Sequence, residues 1–155
     1  MREIHKLKAS VLRAFPVVDE GKIDAELSKS LAGLHRKIVV LDDDPTGVQT
    51  VHDVSVYTDW GSDTLLRGFE EETPLLFFIL TNSRVCVEQQ TAQMHREIVR
   101  NLTDAAKRTG KNFIVISRSD STLRGHYPLE TQILKEELER KTDKRYDGEI
   151  IFPFF

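Results

Sequence analysis

The sequence predicts an α/β fold: a three-layer, largely parallel five-stranded sheet with helices on both faces and a helical N-terminal extension. Three observations carry this prediction. Short, continuously apolar runs recur at 37–41, 75–80 and 112–116, as in strands buried on both faces. They alternate with longer stretches of helical period, which implies βαβ crossovers. Each run also ends abruptly in a polar turn, and in parallel sheets ligands collect at the carboxyl ends of strands.

The elements follow in order. Ile4, Leu7, Val11 and Leu12 share one face of a helix over 2–14, which Phe15-Pro16 ends. Ile23, Leu27, Leu31 and Leu34 predict a second helix over 24–35. Residues 37–41 and 54–58 form the first two strands, and Asp63 caps a short helix ending near Phe69. Pro74 introduces the strand at 75–80. A long helix then spans 88–108, with Val87, Thr91, Met94, Ile98, Leu102 and Ala105 facing inward and Gly110 as its stop. Residues 112–116 are the fourth strand. Pro128 opens a helix whose buried stripe is Leu129, Ile133, Leu134 and Leu138. The loop 141–148 is a solvated turn, and 149–152 is the fifth strand. Two regions result: an extension over 1–35 and an α/β domain over 36–155.

Composition bounds the function. The 155 residues are 39% hydrophobic and 30% charged, with a net charge of −3, which suits a globular chain and argues against a nucleic-acid partner. No apolar run is long enough to span a bilayer, and the single cysteine, Cys86, fits a reducing compartment, so the expected location is cytoplasmic. The tail Ile150-Ile151-Phe152-Pro153-Phe154-Phe155 is apolar to its last residue, which suggests a piece of a longer protein.

Three polar turns could carry chemistry. Asp42-Asp43-Asp44-Pro45-Thr46-Gly47 offers carboxylates suited to Mg²⁺, to a polyol or to a cationic partner. Thr81-Asn82-Ser83-Arg84 offers hydroxyls, an amide and a guanidinium, or simply a cap for the long helix. Ser117-Arg118-Ser119-Asp120-Ser121-Thr122-Leu123-Arg124-Gly125 is the densest. Arg118 and Arg124 can grip a carboxylate or phosphate, Asp120 can accept from hydroxyls or hold an arginine, and Gly125 permits close backbone approach. His52, His95 and His126 lack metal-ligand spacing; His95 reads as a solvated helix residue, and His126 adjoins the third turn. Cys86 has no histidine base beside it, and Trp60 reads as a packing residue.

The combination Asp43-Asp44-x-Thr46-Gly47, Thr81-Asn82-Ser83-Arg84, Arg118-Ser119-Asp120-Ser121-Thr122-Leu123-Arg124-Gly125 and Ile150-Ile151-Phe152-Pro153 resembles the N-terminal domain of the four-carbon acid sugar kinase family. The resemblance covers about residues 37–155. Members often carry Lys-Ile/Val-Asp in place of Arg118-Ser119-Asp120, and Leu in place of Pro45. It implies a sugar-acid pocket lined by Asp43, Asp44, Thr46, Ser83, Arg84, Arg118, Asp120, Ser121, Arg124 and Gly125, with no residue assigned as the catalytic base. It also implies ATP and Mg²⁺ bound mainly through a separate C-terminal nucleotide-binding domain, and it permits a homodimer. On this reading the present chain alone has no kinase activity. Two rival readings remain. A haloacid-dehalogenase-like phosphatase would use Asp42 as nucleophile, Asp44 as acid/base and Mg²⁺, with Leu80-Thr81-Asn82 as its second motif. A non-catalytic small-anion-binding module would use the same pocket as a sensor.

Overall fold

The structure is a computed structural model that describes residues 8–73, 75–120 and 124–152. It divides the chain into two compact units, Met1–Leu34 and His35–Phe155.

In the first unit a 3-10 segment, Ala9–Ala14, precedes helix α1, Glu20–Ala32. Of the predicted helix over 2–14, the described part takes the form of this tighter segment; residues 1–7 lie outside the described ones. Helix α1 starts four residues before the predicted Asp24 because Asp19 caps it, its side chain accepting from Lys22 N at 3.1 Å. Ile23, Leu27 and Leu31 form its apolar stripe and remain about half exposed.

The second unit holds strands β1 (Arg36–Asp42), β2 (Ser55–Tyr57), β3 (Leu76–Leu80) and β4 (Asn112–Arg118). Helices α2 (Ser62–Glu70), α3 (Glu88–Thr109) and α4 (Leu129–Lys141) join and follow them. All pairings are parallel, in the order β2-β3-β1-β4. Among the described residues the sheet therefore has four strands, not the five expected. Residues 149–152 are described but form no strand, with Ile150 95% exposed, so the apolar run predicted as the fifth strand joins no sheet ladder among the described residues. A run of Ile, Ile and Phe signals burial, and it names no neighbour to pair with.

The expectation of helices on both faces also needs correction. Val39, Leu41, Phe77 and Ile79 share one core with Leu65 and Phe69 of α2, Ile98, Val99, Leu102 and Ala105 of α3, and Leu134 and Leu138 of α4. All three helices of this unit therefore cover the same face. The alternate residues of β1, β3 and β4, among them Val40, Phe78, Ile114 and Ile116, point the other way. Val40 and Phe78 are buried, while Ile114 and Ile116 are exposed. Phe69 anchors the covered face through edge-on contacts with Phe77 and Phe113, at centroid distances of 5.9 and 5.7 Å. Lys37 enters near the amino end of β1, and burial lowers its pKa, with the Lys111 charge adding to the effect.

Helix ends agree with their chemistry in part. Gly110 closes α3 in the left-handed region (φ 67°), which glycine adopts without a Cβ penalty. Neither Asn82 nor Ser83 caps that helix: its N-cap is Val87, whose N–H donates to the Gln90 side chain at 3.3 Å. Nor does Asp63 cap α2, which begins after Gly61 and holds Asp63 in its first turn.

Candidate functional site

Parallel register brings the three polar corners together. Asp42, the last residue of β1, lies beside Leu80 of β3 and Arg118 of β4. Thr81 N–H and Oγ–H both donate to Asp42 O, at 2.8 and 2.9 Å, which ties the first corner to the second. Asp43 N–H donates to Arg118 O at 3.4 Å, and Asp120 N–H to Asp43 Oδ2 at 3.0 Å, tying the first to the third.

Arg84 is the hub. Its Nη2 donates to Asp43 Oδ1 at 2.9 Å and its Nη1 to Asp44 Oδ2 at 2.8 Å, while Asp120 Oδ2 lies 3.6 Å from Nη1. The Arg84 side chain is only 17% exposed, and the hydrogen bond to Asp43, reinforced by the surrounding carboxylates, holds its guanidinium more firmly charged. Of the three partners that the triple aspartate could suit, the structure thus supplies the cationic one from within. The chain turns into this corner at Asn82, whose φ of 51° is a left-handed conformation that asparagine tolerates better than most residues.

Asp44 also opens the 3-10 segment Pro45–Thr50, accepting from Thr46 N at 2.8 Å and from the Thr46 hydroxyl. Those bonds, the hydroxyl first, hold its carboxyl below the usual range, with Arg84 and Arg124 adding smaller pulls. Gly47 then folds back so closely that a Cβ there would lie 1.7 Å from Asp42 Oδ2 and 2.2 Å from Arg118 Nη1. Beneath it Asp42 is fully buried, and its Oδ2 has no hydrogen-bond partner among the described residues. Burial pushes its carboxyl up, a shift that Arg118, at 3.4 Å from Oδ1, opposes without cancelling.

The remaining predicted residues divide in two. Arg118 and Arg124 are the open guanidiniums, 47% and 65% exposed; Arg124 Nε lies 2.5 Å from Asp120 Oδ2, so Asp120 holds an arginine. Thr46 is exposed, and a Cβ on Gly125 would lie 2.5 Å from Ser119 Oγ and 3.1 Å from Asp43 Oδ2. Ser83 is buried behind the corner instead of lining it, and Ser121 lies outside the described residues, as do Thr122 and Leu123.

Behind the corner sits a polar cluster that sequence reasoning missed. Ser83 Oγ–H donates to Glu130 Oε1 at 2.6 Å and Ser119 Oγ–H to Glu130 Oε2 at 2.8 Å. His95, read from sequence as solvated, is buried: its Nδ1 lies 2.8 Å from Thr91 O and therefore carries a hydrogen, and its Nε2 lies 3.8 Å from Glu130. The available signal was the spacing 130-133-134-137-138, which puts Glu130 on the apolar stripe of α4. His126 donates from Nε2 to Cys86 O at 2.9 Å, and His52 pairs with Asp53 in an exposed turn. Trp60 packs against the core.

Burial lowers the His95 pKa from its ordinary value of 6.5. The folded protein therefore holds this proton less tightly than the unfolded chain. Below pH 6.5 the unfolded chain binds more protons, so the His95 contribution to stability is whole above that pH and is lost as pH falls toward the depressed folded value. Urea unfolding at pH 7.5 and 5.5 is expected to show a drop of about 1 kcal/mol that His95→Gln removes. An equal drop in the variant would assign it elsewhere. Asp42 acts oppositely, its raised pKa favouring the folded state as pH falls toward 3.8.

In this parallel α/β domain, arginines and carboxylates gather at three strand ends, the edge of the sheet where such folds place their ligands. The chain belongs to the family of sugar-binding N-terminal domains, which it matches over residues 38–155. No curated protein and no solved structure matches it. No helix among the described residues is long and apolar enough to cross a membrane.

Proposed function

We infer that this domain binds a four-carbon sugar acid of the threonate, erythronate or 3-oxo-tetronate type, as the acceptor-binding half of an ATP-dependent sugar acid kinase. The observation that carries the reading is the convergence of Asp43, Asp44, Arg84 and Asp120 in one ion-paired cluster beside the exposed Arg118 and Arg124. In this reading Arg118 and Arg124 clasp the carboxylate in bidentate fashion, and Asp44 and Thr46 meet the hydroxyls. Phosphoryl transfer then needs an acceptor hydroxyl held in line with a γ-phosphate, so the task of this domain is placement.

ATP and Mg²⁺ belong, in this proposal, to a C-terminal nucleotide-binding domain of the same protein. The present residues do not fit the metal: the acidic corner is turned onto Arg84, and no three His, Cys, Asp or Glu side chains among the described residues are arranged to hold an ion. The setting proposed is the cytoplasm, where Cys86 stays reduced. The phosphatase alternative fares worse, because its nucleophile would be the fully buried Asp42.

Calorimetric titration of the chain with threonate, erythronate and 3-oxo-tetronates, with and without ATP, tests the reading. It expects saturable acid binding that ATP leaves unchanged. Failure of every acid, or equal binding of neutral sugars, would sink it. ATP turnover by the chain alone would refute the assignment of the nucleotide site, and Mg²⁺-dependent hydrolysis of a phosphate ester, lost in Asp42→Asn, would revive the rival.

A further inference from the structure

We propose that Glu130 is a positioning residue: from the first turn of α4 it braces the β3 and β4 corners together and so fixes Arg84 and Asp120 in the binding cluster. The proposal rests on the functional reading above only for its ligand arm.

A carboxylate on the buried stripe of a helix is costly unless its oxygens are satisfied. Glu130 is 2% exposed, and each of its oxygens accepts from a different corner. Ser83, on Oε1, immediately precedes Arg84, and Ser119, on Oε2, immediately precedes Asp120. One side chain thus spans two segments that β1 separates in the sheet and that otherwise meet directly through the Arg84–Asp120 ion pair at 3.6 Å. The Ser119 hydroxyl has little room to move, since Gly125 packs so closely that a Cβ there would lie 2.5 Å from it. Any shift of Ser119 carries the Asp120 N–H away from Asp43, to which it donates at 3.0 Å. The helix N-terminus adds a favourable field for the carboxylate. Docking of α4 itself does not depend on this brace, because Ile133, Leu134 and Leu138 are buried.

The test compares Glu130→Ala and Glu130→Gln with the unchanged chain by two readouts. The first is NMR detection of the Arg84 Nε–H, which faces Asp43 at 3.4 Å, alongside hydrogen exchange of core amides such as Leu102 and Leu134. The second is threonate and erythronate affinity. In Glu130→Ala the arginine signal should lose its protection while the core keeps its own. Affinity should fall about tenfold, the factor of one charge-assisted hydrogen bond. Glu130→Gln should fall between, because its amide oxygen still accepts one hydroxyl. An Arg84 signal as protected as in the unchanged chain overturns the proposal. So does a loss shared equally by the core, which would make Glu130 merely structural. If Glu130→Ala does not fold, Ser119→Ala takes its place with the same expected loss at Arg84, and retention overturns the idea. The arginine signal is read without ligand. An unchanged chain that binds no sugar acid therefore removes the functional reading and still leaves the brace to be judged.

Discussion

Arg84→Ala is expected to destabilise the domain by about 3 kcal/mol, the usual cost of removing one partner from a buried ion pair, and to abolish sugar-acid binding. Three carboxylates share this guanidinium, and the side chains of Asp43 and Asp120 are each only 4% exposed. Without it, their charges stay desolvated and repel one another across the corner. Urea unfolding at neutral pH measures the loss. Arg84→Lys should recover only part of it, since a single ammonium cannot reproduce the forked contacts. Arg84→Ala/Asp43→Asn should be more stable than Arg84→Ala alone. If it is not, the penalty does not arise from orphaned charge.

The second large effect is expected at Gly47. Alanine there would place a methyl group 1.7 Å from Asp42 Oδ2 and 2.3 Å from Asp42 Cγ, with Arg118 Nη1 at 2.2 Å. The exposed guanidinium of Arg118 can swing aside, but Asp42 cannot, because it is buried at the end of β1. Overpacking of this kind costs about 1–3 kcal/mol, and if the turn absorbs it the same energy appears as a roughly 10- to 100-fold loss of affinity. Titration with threonate and erythronate, paired with a melting curve, separates the two. Unchanged affinity and stability would show that the turn sits higher off Asp42 than described. Gly47 adopts no positive φ, so the constraint is one of space alone.

Much of this was legible in the chain. Residues 37–41 and 75–80 announced themselves as strands because a strand buried on both faces leaves no alternation to confuse with a helix, and 112–116 did so by its β-branched run, although Ile114 and Ile116 lie exposed on one face. The long helix was legible because its apolar period persists to Gly110. The convergence of the three turns followed from parallel pairing. What stayed hidden depended on distant partners. A local reading treats Arg84 as a ligand donor, and only the fold reveals that carboxylates 40 and 41 residues away already hold it. Ser83, Glu130 and His95 are single polar residues within apolar neighbourhoods, and nothing near them in sequence identifies one another as companions. Residues 149–152 failed for the converse reason, their hydrophobicity being local and their pairing not.

The ties across the corner also set when it forms. Arg84 and Asp120 meet Asp43 across sequence separations of 41 and 77 residues. Loop-closure entropy grows only with the logarithm of length, so the longer closure costs roughly 0.6 kcal/mol more than the shorter. Kinetically, the Asp120 tie must wait for β4 to join β1, because Asp120 follows the end of that strand, whereas the Arg84 tie needs only the β1–β3 pairing. The cluster behaves as a latch on a finished ladder, so refolding should restore the helical signal before it completes the ion-paired corner.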